Sequence, residues 1–491
     1  MTHGPPAAGP DAPETGSLAR LSATALLAGY RAGRFTPSEV IEDVIAALDF
    51  ADARCKVMVT PMFDSARADA ERATQAWRRG AAVGALEGVP VTVKDLIYVA
   101  GVPARGGAPV LDGFVPAVDS AVVSSLRKAG AVITCKTTTC ESGYKLTADS
   151  PVSGITRNPW GLERTSGGSS GGAAAAVAAG CGPLAVGTDG VGSIRVPASF
   201  CGVVGVKPTF GLVPRAPGFF PPSWASLAHT GPIARSVRDA ALLLEVIAGY
   251  DMRDAASLPV PPRRFDASPG SLQGLRIAFT PDFGFAAVAP DVRKAFHATL
   301  DVLKRLGAEL ARDDVGLDPD VLAHTARIIA YTEQAGAVAA RSAEQLALSD
   351  ADYCDVIAKG RRYGGAEYVD AMHRRTQLRA QFVSLFQRAD VLVTPTVAVT
   401  AFNAGELGTD RIDGREVDRH LGWSPFSWPI NLAGAPAATL PCGFDADGLP
   451  IGLQIVAPWL EEARIFRVAA ALEEALGLSD RWPDFAGGRR A

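Results

Sequence analysis

The sequence predicts an α/β protein: a large central mixed, mostly parallel twisted sheet covered by helices on both faces. Three observations point there. Apolar runs of strand texture alternate along the chain with amphipathic stretches of helical spacing, as strands joined through helices do. The strand-like runs are short and strongly apolar, which suits strands covered on both sides. With 491 residues, 48% hydrophobic and 20% charged, the chain can bury a core without disulfide staples.

Residues 1–17 are rich in Pro, Ala and Gly, with no basic start and no apolar stretch. They are expected to form a disordered tail and not a signal peptide. Thr36-Pro37-Ser38-Glu39 is a helix start, with Thr36 to cap, Pro37 at the first position and Glu39 completing a capping box. Val40, Ile41, Val44, Ile45 and Leu48 continue it at helical spacing. From Gly88 the texture changes to strand, with Val89, Val91 and Val93 leading into Lys94-Asp95. Residues 117–140 read as a helix followed by a strand, Ala131-Val132-Ile133-Thr134. Leu275 to Phe279 is a buried strand, and Val292, Phe296, Leu300 and Leu303 mark a helix stopped by Gly307. Residues 312–386 are helical and charged, and Ala389 to Pro395 is again a buried strand. Only the Pro-rich stretch 258–269 resembles a linker. A single domain over 18–485 is expected, with its core at about 75–245 and 389–475 and a helical periphery at about 290–386.

Charge, cysteine and histidine exclude several function classes. Lys plus Arg number 48 against 52 Asp plus Glu, a net charge of −4 that argues against nucleic acid or an anionic membrane as main partner. The seven cysteines are odd in number and lack a C-x-x-C pair, which is reducing-compartment usage and predicts a cytoplasmic protein. The six histidines show no H-x-x-x-H, so a zinc site has no sequence support; no metal and no cofactor is expected. His229 is the one histidine near a dense motif, and a structural role is the commoner one for such a residue. The Gly171–Gly187 run is too short and weakly apolar to span a bilayer.

Chemistry concentrates in residues 165–195. Gly167-Gly168-Ser169-Ser170-Gly171-Gly172 runs into the alanine-rich segment Ala173 to Ala179, placing hydroxyls at a helix N-terminus where N–H groups and positive potential gather. A second glycine-flanked serine follows in Gly187-Thr188-Asp189-Gly190-Val191-Gly192-Ser193-Ile194-Arg195. Successive N–H groups in such a loop can converge as an oxyanion hole does. With no partner histidine evident, Lys94 at the end of an apolar strand is the candidate base, since burial lowers a lysine's pKa. Taken alone, a glycine-serine run is often a loop and a lysine after a strand is usually solvated.

Together these segments resemble the amidase signature family, serine hydrolases with a Ser-cisSer-Lys triad. The resemblance is carried by V-x-V-K-D at 91–95, R-N-P-W at 157–160, G-G-S-S-G-G at 167–172 and G-T-D-x-x-G-S-I-R at 187–195. It continues through 201–209 and 229–239, returns at 434–444 and 448–456, and is thin between 245 and 385. The resemblance implies an amidase-signature fold, Ser193 as nucleophile, Ser169 as bridging serine on a cis peptide bond and Lys94 as base. It implies an oxyanion hole from the N–H groups of Gly190, Val191, Gly192 and Ser193, with Ser170, Asp189 and Arg195 in support. The family usually has two glycines before the nucleophile, and this chain has Val191-Gly192. A β-branched residue disfavours positive φ, so that unit is either extended or re-aimed. Cys181, Cys201 and Gln454 read as packing residues.

Tyr144, Phe219, Phe220, Trp224 and Trp428, with Trp423 and Phe426, are candidate pocket aromatics, although most aromatics are core. They suggest an uncharged apolar or aryl amide substrate, with carbamates (urethanes) and esters also fitting. Three readings compete: a stand-alone amidase on a small molecule, the amidase subunit of a glutamine-dependent tRNA amidotransferase needing a partner subunit, and a non-catalytic binding protein. Homodimers are common in the family, and the sequence does not establish one here.

Overall fold

The computed structural model describes residues 16–81, 84–219 and 226–484. Phe220, Trp224 and residues 1–15 of the expected tail lie outside them. Ser17, assigned to that tail, is tied down: its Oγ donates to Asp43 Oδ2 at 2.8 Å.

One eleven-stranded sheet organises the chain. From edge to edge its strands are Met58–Pro61, Val132–Thr137, Pro90–Lys94, Leu184–Asp189, His229–Ala234, Val204–Lys207, Ala437–Phe444, Pro450–Val456, Val391–Pro395, Arg276–Phe279 and Glu309–Arg312. Parallel pairing forms two blocks. Pro90–Lys94 runs parallel to both its neighbours, and Arg276–Phe279 to both of its own. Between the blocks the pairing is antiparallel, through the hairpin of Ala437–Phe444 with Pro450–Val456. The sheet is therefore mixed, with four parallel and six antiparallel strand pairs among the described residues, and strands from both ends of the chain meet in it.

Six of the strands are buried at every position, including Pro90–Lys94, His229–Ala234 and Pro450–Val456. A strand with no exposed side has cover on both faces. One cover is the pair Gly171–Ala178 and Arg195–Cys201, which pack on each other and on the central strands. The other joins Val237–Ile247, Pro290–Arg305 and Glu462–Leu476. Small residues let the first pair sit close: a Cβ at Gly172 would lie 2.3 Å from Thr138 Oγ1 and 2.5 Å from the Val57 carbonyl oxygen.

The Thr36 capping box forms, with Glu39 N–H donating to Thr36 Oγ1 at 3.2 Å and Thr36 N–H to Glu39 Oε2 at 2.7 Å. That helix, Pro37–Cys55, buries the expected apolar face. The region expected as helical periphery from 290 differs in one respect. Glu309–Arg312 joins the sheet edge in parallel with Arg276–Phe279, because the helix before it completes a strand–helix–strand crossover. Beyond it the chain is helical, through Pro319–Ala337, Ala343–Leu346, Ala351–Gly360 and Gly365–Arg388. Among the described residues no helix is long and apolar enough to cross a membrane.

Candidate active site

Lys94 ends a strand whose apolar neighbours place it inside the protein. It is fully buried, and its Nζ lies 2.6 Å from Ser169 Oγ, 2.9 Å from Ser170 Oγ and 2.9 Å from Thr188 Oγ1. All three partners are hydroxyls, and no carboxylate pairs with this lysine among the described residues. Burial therefore acts almost unopposed and lowers the pKa of Lys94 from 10.5 to about 7. A neutral amine at neutral pH has a free lone pair to accept a proton from a hydroxyl.

The glycine-serine run supplies two of those hydroxyls. The Gly168–Ser169 peptide bond is cis, as the resemblance implies. Ser170 precedes the helix Gly171–Ala178 but does not cap it with its side chain. Its Oγ instead contacts Lys94, donates to the Thr188 carbonyl at 3.0 Å and accepts from the Thr188 N–H at 3.2 Å. Thr188 was not singled out in the sequence, although it sits in the G-T-D motif beside the expected supporting residues.

Ser193 lies in the loop between the strand Leu184–Asp189 and the helix Arg195–Cys201. Its carbonyl accepts from the Ser170 N–H at 3.1 Å, which draws the two serine segments together. Its own Oγ has no hydrogen-bond partner among the described residues. Asp189 holds the loop, with Oδ1 accepting from Gly192 N–H at 2.8 Å and Oδ2 from Ile194 N–H at 3.1 Å. Arg195 grips the same carboxylate in a two-pronged pair at 3.0 and 3.1 Å, fully buried, and also donates to Gln454 and Asn431. Burial opposes charge on Asp189, yet Arg195 holds its carboxyl well below the usual range. Gln454 is thus a structural partner of Arg195.

The expected oxyanion set needs one correction. Gly192 N–H is spent on Asp189 and is not available to a substrate. The N–H groups of Gly190, Val191 and Ser193 have no acceptor among the described residues. Positive φ falls on Gly192, at +133°, and not on Val191, so the β-branched residue is accommodated without the conformation it disfavours. A Cβ at Gly192 would stand 2.6 Å from Ser427 Oγ and 2.8 Å from its Cβ. Gly192→Ala is expected to displace the loop, cutting kcat at least tenfold and costing about 1–3 kcal/mol of stability from the unsuitable φ. Steady-state kinetics with chemical denaturation check both.

A cavity of about 520 Å³ opens onto Ser169, Thr188, Gly190 and Val191. Tyr144 and Phe219 border it as expected; Phe219 packs on Tyr98 at 5.2 Å between ring centroids. Trp428 does not. It is core, buried in the helix Trp428–Ala433, and Trp423 stacks on Phe200 while Phe426 meets Phe283. Apolar packing claimed these rings because their segment is packed among helices, the Trp428–Ala433 helix lying against Pro319–Ala337 and Gly365–Arg388. His229 is also structural: burial keeps its imidazole neutral, with Nδ1 2.8 Å from the Leu227 carbonyl. Burial pushes the Cys181 and Cys201 thiols well up, which disfavours the nucleophilic thiolate. Two charged side chains border the cavity that the sequence did not single out, Arg215 and Glu333. Glu333 comes from the helix Pro319–Ala337, where motif resemblance is thin.

A family model described as Amidase matches residues 39–466. One subunit of the glutamyl-tRNA(Gln) amidotransferase of Cyanothece sp. is 37% identical over 475 residues, covering 91% of this chain and 96% of that protein, and several further relatives bear the same description. An acylamidase of Rhodococcus erythropolis is 33% identical over 94% of this chain and 97% of its own length. Among solved structures, a bacterial aryl acylamidase of the amidase signature family superposes with a TM-score of 0.89 at 29% identity, covering 96% of this chain and 99% of its own. The chain belongs to the amidase signature family.

Proposed function

We propose that this protein hydrolyses a C–N amide bond through an acyl-enzyme on Ser193. The observation that carries the reading is Lys94, sealed among hydroxyls with its pKa brought down to about 7. Neutral Lys94 accepts the Ser169 proton as Ser169 accepts that of Ser193, and Ser193 Oγ bonds to the substrate carbonyl carbon. Negative charge moves onto the carbonyl oxygen, where the free N–H groups of Gly190, Val191 and Ser193 receive it. The protons then return along the relay to the leaving nitrogen as the C–N bond breaks. Water, deprotonated by the same route, releases the acid and restores Ser193.

The relay fixes a pH dependence. Only the neutral amine accepts a proton, so kcat/KM is expected to rise tenfold per pH unit below about 7 and to level off above it. A flat profile from pH 5 to 9 on a non-titrating anilide would count against Lys94 as base.

The favoured substrate is a small, largely apolar amide taken without a partner protein. Its support is the predominantly apolar cavity wall, with Leu96, Ile97, Val122 and Val356, and the similarity to acylamidases. Carbamates and esters present the same carbonyl and belong in the same assay. A second reading, the amidase subunit of a tRNA amidotransferase, is favoured by the relatives of that description. Assaying the isolated chain on neutral anilides and on glutamine separates the two. Anilide turnover well above glutamine turnover is expected. Turnover of glutamine alone, or of neither until a partner protein is added, would give precedence to the second reading.

A further inference from the structure

Arg215 and Glu333 share the cavity wall with Ser169, and neither side chain has a hydrogen-bond partner among the described residues. The Arg215 guanidinium makes no hydrogen bond or ion pair among the described residues, and its Nη2 is sealed from solvent with no partner. Glu333 likewise has no hydrogen-bonding partner for its carboxyl among them. Asp254 is the foremost charged neighbour of Arg215 and Glu333 the next, while Glu333 feels Arg215 first and then Arg375; Arg215 and Glu333 attract each other without closing into an ion pair. Such an arrangement is costly, since a buried donor left unmade typically costs more than an average hydrogen bond gains. Arg215 also borders a narrow second void beside His229, but Glu333 borders the cavity alone.

The pieces are complementary to one kind of group. A guanidinium fork offers donors, a carboxylate offers acceptors, and between them fits a unit with a carbonyl oxygen at one end and an N–H at the other. We propose that Arg215 and Glu333 recognise a second amide group in the substrate, remote from the bond that is cut. This deepens the amide-hydrolase reading and rests on it. The substrate would then be a compound with two amide functions, joined by an apolar spacer that lies along the remaining wall.

The competing occupants are a distal carboxylate and a distal amino-acid zwitterion. Burial disfavours charge on both side chains, lowering the Arg215 pKa and raising that of Glu333. A neutral dipole brings no further charge to desolvate, whereas a carboxylate would face Glu333 and must be stripped of water first. Neutral amide recognition is therefore the better match.

The test uses four 4-nitroanilides with acyl chains of equal length, ending in a carboxamide, a carboxylate, an α-amino acid or a methyl group. On the wild-type protein the carboxamide is expected to exceed the methyl compound at least tenfold in kcat/KM, through KM and not kcat. In Arg215→Met and in Glu333→Leu that ratio is expected to fall to about one. Arg215→Lys, which keeps the charge but not the fork, is expected to fall between. Because each ratio is internal to one variant, partial loss of folded protein does not imitate the effect. A wild-type ratio near one, preference for the carboxylate or the amino acid, or a ratio that survives both variants would overturn the proposal. Turnover of all four without preference fails this proposal alone, whereas turnover of none would also remove the amide-hydrolase reading beneath it.

Discussion

Ser193→Ala is expected to lower kcat on any hydrolysed amide by about 10⁵-fold or more, the scale seen when a serine hydrolase loses its nucleophile. No neighbouring group can substitute. Ser169 Oγ is engaged by Lys94 and Ser170 Oγ by Lys94 and Thr188. Cys181 and Cys201 are buried with thiols pushed well up. Stability should scarcely change, because Ser193 Oγ has no hydrogen-bond partner among the described residues to lose; a shift within about 1 kcal/mol is expected for such a change. Steady-state turnover beside thermal unfolding checks both parts. Retention of more than a hundredth of the activity would move the nucleophile elsewhere.

Lys94→Met is the second large effect, and it separates function from stability. Activity is expected to fall at least a thousandfold, since the relay loses its base. Stability runs the other way. The folded pKa, about 7, lies below the unfolded value of 10.5, so between those pH values the unfolded chain binds a proton that the folded one does not. The wild type is therefore destabilised by its lysine at pH 7, by up to ~4 kcal/mol from the shift alone, and regains this as pH rises towards 10.5. Against it stand the hydrogen bonds to Ser169, Ser170 and Thr188, each worth about 1 kcal/mol. The variant should match or exceed the wild type in unfolding free energy at pH 7, and lose that advantage by pH 10. Denaturant unfolding at the two pH values measures it. A variant far less stable at pH 7, with no pH dependence of the difference, would mean that Lys94 is held charged.

How much of this was legible beforehand follows from where each signal lies. The hydroxyl cluster, Lys94 and the Ser193 loop are local motifs whose residue types advertise their chemistry. The Thr36 helix start was equally plain, because a capping box is written in four consecutive residues. The antiparallel centre of the sheet was not, since strands far apart in sequence pair there and no local pattern records the partner. Val204–Lys207 beside Ala437–Phe444 is the example. The spent N–H of Gly192 depends on where the Asp189 side chain turns, which spacing does not reveal. Trp428 was misplaced because an aromatic near a motif looks the same in a wall and in a core. Arg215 and Glu333 escaped notice for the converse reason: they belong to distant segments that only the fold brings to one cavity.

Reaction with a fluorophosphonate, read by intact mass, tests Ser193 as a nucleophile activated by Lys94 without knowledge of the substrate. The wild type is expected to gain one adduct, Ser193→Ala none, and Lys94→Met one formed far more slowly. An adduct that persists on Ser193→Ala, or forms on Lys94→Met at the wild-type rate, would contradict the account.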